Sequence, residues 1–162
     1  MEPSADRRAR QFGPLGIHPI TGELAPVRWA GFDVDLDVAA TSGFALPTVS
    51  DFESFRRIVT NLGSLDANWM YADSAGNIGY QLGTPIPIRP PQAIGLPLDG
   101  SDPSNEWRGY RSLDETPHAY NPNRGWLATC NNKSERSLYP IPGNYAIDRI
   151  IRISQLLDSH ES

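Results

Sequence analysis

Cysteine is almost missing from this chain of 162 residues: Cys130 stands alone, so no internal disulfide can form and a thiolate zinc cluster is excluded. Histidine is scarce too. The three, at 18, 118 and 160, lie far apart without ligand spacing, and no metal or cofactor is expected. There is no basic surplus: 14 Lys and Arg against 19 Asp and Glu give a net charge of −5. With the arginines scattered, nucleic-acid binding has no electrostatic support. No apolar run is long enough to span a membrane. The opening Met-Glu-Pro-Ser-Ala-Asp-Arg-Arg-Ala-Arg has charges with no apolar run after them, the pattern of neither a secretory signal nor an anchor. No internal repeat is found.

What remains is a chain whose 39% hydrophobic content suffices for one domain-sized core, with 15 prolines and 14 glycines predicting long, irregular connections. Residues 1–9 read as a flexible polar tail, and 10–162 as a single partial domain. Short strands are predicted at Phe12–Gly16 and Val27–Ala30, joined by a Pro/Gly/Thr-Gly turn region. Ser50 and Glu53 form a capping box ahead of Phe52, Phe55, Ile58, Val59 and Leu62, which recur at helical spacing until Gly63. A helix over about 48–63 follows. A second, over about 144–158, begins near Asn144 and carries Ile147, Ile150, Ile151 and Leu157 on one side.

The most informative stretch is Asn68-Trp69-Met70-Tyr71-Ala72-Asp73-Ser74-Ala75-Gly76-Asn77-Ile78-Gly79-Tyr80. Trp69 and Tyr71 alternate with smaller residues, Asp73 to Asn77 are turn formers, and Ile78 and Tyr80 resume the alternation, which together specify a β-hairpin. Thr84–Pro97 is Pro-rich, extended and short of ladder donors. Later comes Gly125-Trp126-Leu127-Ala128-Thr129-Cys130-Asn131-Asn132, read as a short apolar strand stopping on two side-chain amides. An amide held at a fixed point is a good donor to a developing oxyanion.

In this order the two pieces resemble the penicillin acylase family of N-terminal-nucleophile amide hydrolases. The resemblance continues through Pro85-Ile86-Pro87-Ile88-Arg89, Leu98-Asp99-Gly100, Glu106-Trp107-Arg108-Gly109-Tyr110 and Asn121-Pro122, and ends in Asp148-Arg149. It covers roughly positions 10–157, and so many ordered matches are far more specific than one short motif. At the N-terminal edge the family's Arg-His-Gly-Pro strand is only partly matched by Arg10-Gln11-Phe12-Gly13-Pro14. The resemblance implies an α+β fold: part of a four-layer αββα sandwich of mainly antiparallel strands, with the two helices above. It also implies a periplasmic or secreted enzyme for the family. Family members are typically exported, so the missing signal implies a piece from the middle of the family's large chain.

By the same resemblance Asn131 is the oxyanion donor and Arg149 an active-site residue that orients polar groups. The alternatives are a turn asparagine, and an exposed helix arginine paired with Asp148 or Glu135. Asn132 is read as supporting the turn through local bonds, Cys130 as a small buried hydrophobe rather than a nucleophile, and Asp73 as ordinary turn chemistry. Trp69, Tyr71, Tyr80, Trp107, Tyr110 and Trp126 are read as core. The family's nucleophile is a serine made chain-terminal by self-cleavage, upstream of the hairpin. Here Ser-Asn-x-Trp occurs only as Ser104-Asn105-Glu106-Trp107, downstream of it and after Pro103, so no nucleophile is assigned in this chain. The Tyr139–Gly143 region has no carboxylate where the family's calcium ligand would fall. The implied partners are an acylated amide substrate, such as a penicillin or an N-acyl homoserine lactone, the upstream nucleophile-bearing segment and the small chain of the same precursor. The competing readings are a non-catalytic β-rich scaffold or binding module and a catalytically inactive, truncated or decayed gene product.

Overall fold

The computed structural model describes residues 15–18, 21–63, 67–91, 93, 97–134, 137–141, 143 and 145–159. The expected tail, the Phe12–Pro14 edge, Glu135, Asn144 and His160 lie outside them.

The hairpin forms as its residues dictate. Strand β3 (Asn68–Ala72) pairs antiparallel with β4 (Ile78–Leu82), Tyr71 facing Gly79 and Met70 facing Tyr80. Asp73 builds the turn: its Oδ1 accepts from the N–H groups of Ala75 and Asn77, each at 2.9 Å, and its Oδ2 accepts from Asn77 Nδ2 and the Tyr71 hydroxyl. These bonds, those from Asn77 foremost, hold its carboxyl below the ordinary value of 3.8. Gly76 takes φ +85°, a left-handed conformation that a side chain would strain. A third strand, β5 (His118–Tyr120), joins β4 with Tyr80 opposite Ala119. Asn121, at φ +43°, locks this junction by accepting from Ile78 N–H and donating to Asn77 Oδ1.

The expected first helix is Phe52–Asn61. Its cap lies one residue later than the sequence pattern indicates. Asp51 accepts from Ser54 N–H at 2.7 Å while Ser54 Oγ accepts from Asp51 N–H, because a carboxylate at that position meets the free amides directly. Ahead of it Leu46–Thr48 is a 3₁₀ turn rather than α-helix. A further helix not expected from the sequence, α1 (Leu36–Ala45), is capped by Asp35, whose Oδ1 accepts from Asp37 and Val38 N–H. There are thus three α-helices among the described residues, not two: α1, α2 (Phe52–Asn61) and α3 (Asp148–Ser159). No helix among these residues is long and apolar enough to cross a membrane.

At the start of the described chain, β1 (Leu15–Ile17) pairs with β2 (Leu24–Pro26). Val27–Ala30 is not the predicted strand: Ala30–Asp33 is a 3₁₀ turn, closed by the edge-on contact of Trp29 with Phe32 at 5.0 Å and the Arg28–Asp33 ion pair at 2.9 Å. The Pro-rich run does find partners. Its two non-prolyl positions next to Pro87 bond to the Trp107 hairpin region: Ile88 N–H donates to Gly109, and Ile86 accepts from Arg111.

The core is the seam between α2 and the three-stranded sheet. Phe52, Phe55 and Val59 pack with Trp69 and Tyr71, and Phe52 stacks on Tyr120 with centroids 4.7 Å apart. Arg56 is buried in the same seam and fully satisfied, donating to Gln81 Oε1, Glu53 and the Leu113 carbonyl, each within 3.0 Å. Gly79 lies so close under Phe52 that a Cβ would come within 2.3 Å of the ring. The opposite face of the sheet carries Asn68, Met70 and Tyr80.

Gly79→Ala is therefore expected to destabilise the chain by about 1–3 kcal/mol, measured by urea unfolding, because the packed ring must move. An unchanged midpoint would contradict this packing. The depressed Asp73 carboxyl adds stability that is fully present above its unfolded value and lost as pH falls through the lower native one. Asp73→Asn should flatten that acid limb of the stability profile.

Candidate functional site

The segment from Arg124 to Asn132 is held by side chains rather than by a sheet. Residues 126–130 join no ladder among the described residues, so the predicted apolar strand is corrected to an irregular, unpaired run. It follows a turn over Pro122–Gly125, closed by Gly125 N–H on the Pro122 carbonyl at 2.9 Å, where Gly125 takes a φ of +73°, with the Arg124 guanidinium 4.0 Å above the Trp126 ring. Helix α3 runs beside it and pins both ends. Near its C-terminus Asp158 accepts from Trp126 Nε1 at 2.9 Å, and in its first turn Arg149 donates to the Cys130 carbonyl at 2.9 Å.

The same Arg149 nitrogen donates to Asn131 Oδ1 at 2.5 Å. Two residues singled out 18 positions apart are thus in contact, and Arg149 reaches an amide and a carbonyl rather than Asp148. Because a guanidinium only donates, the oxygen end of the Asn131 amide must face it, which leaves Nδ2–H as the group available to an acceptor. Asn131 is exposed and sits in the left-handed region at φ +64°, a conformation asparagine tolerates. Asn132 closes the turn, its Oδ1 accepting from Cys130 N–H at 3.1 Å. Cys130 is buried, and the contact recorded for its sulfur is Asn132 Oδ1, not a base.

A cleft of about 240 Å³ opens between this segment and the free face of the sheet. Leu127 to Thr129 and Asn132 form one wall, and Asn68, Met70 and Tyr80 the other. Asn131 lies at the margin, outside the walls. Tyr80 donates to Asn68 Oδ1 at 2.7 Å, and burial pushes its phenol upward against a hydrogen bond from Ser134. His118 also lines the cleft; its Nδ1 lies 2.7 Å from the Thr116 carbonyl, which can only accept, so Nδ1 carries the hydrogen and Nε2 is the acceptor nitrogen.

Ser104 is elsewhere, exposed on the 3₁₀ turn Pro103–Asn105, its N–H bonded to Asp102. A larger groove of about 440 Å³ surrounds Trp107, whose ring lies 5.0 Å from the Arg28 guanidinium and 5.7 Å from that of Arg89. Tyr110, expected in the core, is exposed there; burial of its hydroxyl and the bond to Asp33 raise its phenol to about 12. Nothing in the sequence pattern pointed to this pair of arginines. Among the described residues no three His, Cys, Asp or Glu cluster so as to hold a metal ion.

The penicillin amidase family model matches residues 5–162. The chain belongs to the penicillin amidase family. It is 34% identical to the penicillin G acylase of Escherichia coli over 101 residues, 59% of this chain and 12% of that protein. To the penicillin acylase 2 proenzyme of Pseudomonas sp. (strain SE83) it is 28% identical over 124 residues, 76% of this chain and 16% of that one. A solved structure of a thermostable penicillin G acylase from Alcaligenes faecalis superposes with a TM-score of 0.66 at 29% identity, over 77% of this chain and 23% of that one. The chain thus spans well under a quarter of the curated relatives it matches. The α+β architecture agrees with that of this penicillin amidase structure, helices over antiparallel strands included.

Arg149→Ala should release both acceptors. The expected cost is about 1 kcal/mol, since the pair is exposed, with a shift of the Asn131 side-chain amide signals in the ¹⁵N-labelled chain that Arg149→Lys restores only in part. An Asn131 amide signal indifferent to both substitutions would refute the contact.

Proposed function

We propose that this chain is one part of a longer amide hydrolase that cleaves a linear C–N amide bond of an acylated substrate, such as a penicillin, a related β-lactam amide or an N-acyl homoserine lactone. Asn131 donates its Nδ2–H to the oxyanion of the tetrahedral intermediate, and Arg149 orients that amide by occupying its oxygen. The nucleophile and its base belong to a segment outside residues 1–162 of this chain, from the same precursor as a small partner chain.

One observation carries the reading: the guanidinium on Asn131 Oδ1 fixes which end of the amide is offered. A donor preorganised in this way is worth about 3 kcal/mol of barrier. Further support comes from coverage, since relatives named as acylases are several times longer, and one of them is named a proenzyme. The exposed apolar residues Phe44 of α1 and Ile147 and Ile151 at α3 are consistent with a chain that packs against more protein. Ser104 is a poor nucleophile candidate on its exposed turn.

The chain alone should show no turnover of a chromogenic phenylacetyl amide, and joined to the nucleophile-bearing segment it should hydrolyse one. In that complete enzyme Asn131→Ala should lower kcat by roughly 10²- to 10³-fold with folding intact. Turnover by the isolated chain that vanishes in Ser104→Ala would overturn the assignment, as would an Asn131→Ala enzyme of full activity.

A further inference from the structure

Asn131 and the Arg149 that holds it stand 18 positions apart, and the described residues between Asn131 and α3 form neither helix nor strand. A pair so separated keeps its contact only if the connection is ordered, since closing a loose loop costs entropy. Tyr139 anchors that connection. The Arg111 guanidinium lies 4.4 Å from the centroid of its ring, Ser137 donates to the Tyr139 carbonyl at 2.5 Å, and Tyr145 donates to the Ile141 carbonyl at 2.9 Å. Arg111 is itself set in place: its backbone N–H donates to the Ile86 carbonyl and its Nη1 to Glu115, each at 2.8 Å. Glu115 accepts in turn from the N–H and the hydroxyl of Ser112, each at 3.0 Å. Hydrogen bonds do not explain the Arg111–Tyr139 contact. The Tyr139 hydroxyl and Arg111 Nε are both buried without a hydrogen-bond partner among the described residues, so what joins the two is the guanidinium over the ring. Burial pushes the Tyr139 phenol upward, with the Arg111 charge opposing.

We infer that Arg111 and Tyr139 are positioning residues for the Asn131 amide: their contact fastens the connection between Asn131 and Arg149 to the turn ahead of β5, and so keeps Arg149 on Asn131 Oδ1. A partly desolvated cation–π contact has the strength for this, and it requires an aromatic ring rather than a hydroxyl. Because a buried hydroxyl left unpaired costs free energy, a ring without one should serve as well or better. The consequence for catalysis rests on the proposed hydrolase; the effect on the amide itself does not.

The test compares Arg111→Gln, Tyr139→Leu and Tyr139→Phe in the ¹⁵N-labelled chain, by the side-chain amide signals of Asn131 and by urea unfolding. Arg111→Gln and Tyr139→Leu should each shift the Asn131 signals and lower the folded-to-unfolded ratio about fivefold, and the double variant should do little more than either alone. Tyr139→Phe should leave the signals in place, with an unfolding midpoint equal to or above that of the unaltered chain. Asn131 signals unmoved by Arg111→Gln, or a Tyr139→Phe chain as damaged as Tyr139→Leu, would overturn the proposal, because a local packing role alone costs stability and leaves the amide where it is. Should Tyr139→Leu fail to fold, the other two variants decide. In the complete enzyme Arg111→Gln should lower kcat about tenfold with KM little changed. Hydrolysis of a phenylacetyl amide with Asn131 signals unmoved in Arg111→Gln would sink the positioning role and spare the function. Moved signals with no amide hydrolysis by the complete enzyme would do the reverse.

Discussion

The position of the Asn131 amide depends on one cation. Residues 126–130 have no ladder partners among the described residues, so backbone pairing cannot fix where Asn131 stands. Arg149 supplies what a neighbouring strand would: one nitrogen bridges the Cys130 carbonyl and Asn131 Oδ1. The Trp126–Asp158 bond at the other end stops α3 from swinging away. A helix laid against an unpaired segment and pinned at both ends is stiff along that segment, which a donor for a transient oxyanion requires.

The sheet gives this arrangement something to stand on. Its α2 face is closed by the aromatic seam and by the Arg56–Gln81 bond, so strands β3 to β5 cannot slide without unburying a charge. Its other face stays open and carries Asn68, Met70 and Tyr80 into the cleft. The link between the two faces is the strand pleat, which sends alternate side chains to opposite sides. Asn121 joins the hairpin turn to the chain that leads into Arg124, coupling core and cleft through Ile78 and Asn77.

What the sequence discloses follows from which signals are local. The β3–β4 hairpin is legible because Asp73, Gly76 and Asn77 are turn residues whose bonds close within five positions. Helix α2 is legible because Phe52, Phe55 and Val59 share one face, though its cap slips by one residue where Ser50 and Asp51 compete. Helix α1 escapes because it buries little, Ala39 and Ser42 chiefly, and so shows no apolar stripe; Asp35 as a cap is the signal that could have found it. The strands β1 and β2 are three residues each, too short for alternation to register. The strand predicted at Gly125–Cys130 does not form because Leu127 to Thr129 line the cleft and the segment is tied to α3 by the Trp126–Asp158 and Arg149–Cys130 bonds instead of pairing. Asn131 and Arg149 are both legible from the family pattern, whereas their contact is not, since nothing local says that an arginine will seek an amide rather than Asp148.

The most direct measurement is a crystal structure of the complete protein with a phosphonate analogue of the tetrahedral intermediate. The account predicts Asn131 Nδ2 about 2.7–3.1 Å from the oxygen that mimics the oxyanion, with Arg149 still on Asn131 Oδ1. An analogue bound productively with Asn131 Nδ2 turned to solvent, and another group donating to that oxygen, would contradict it.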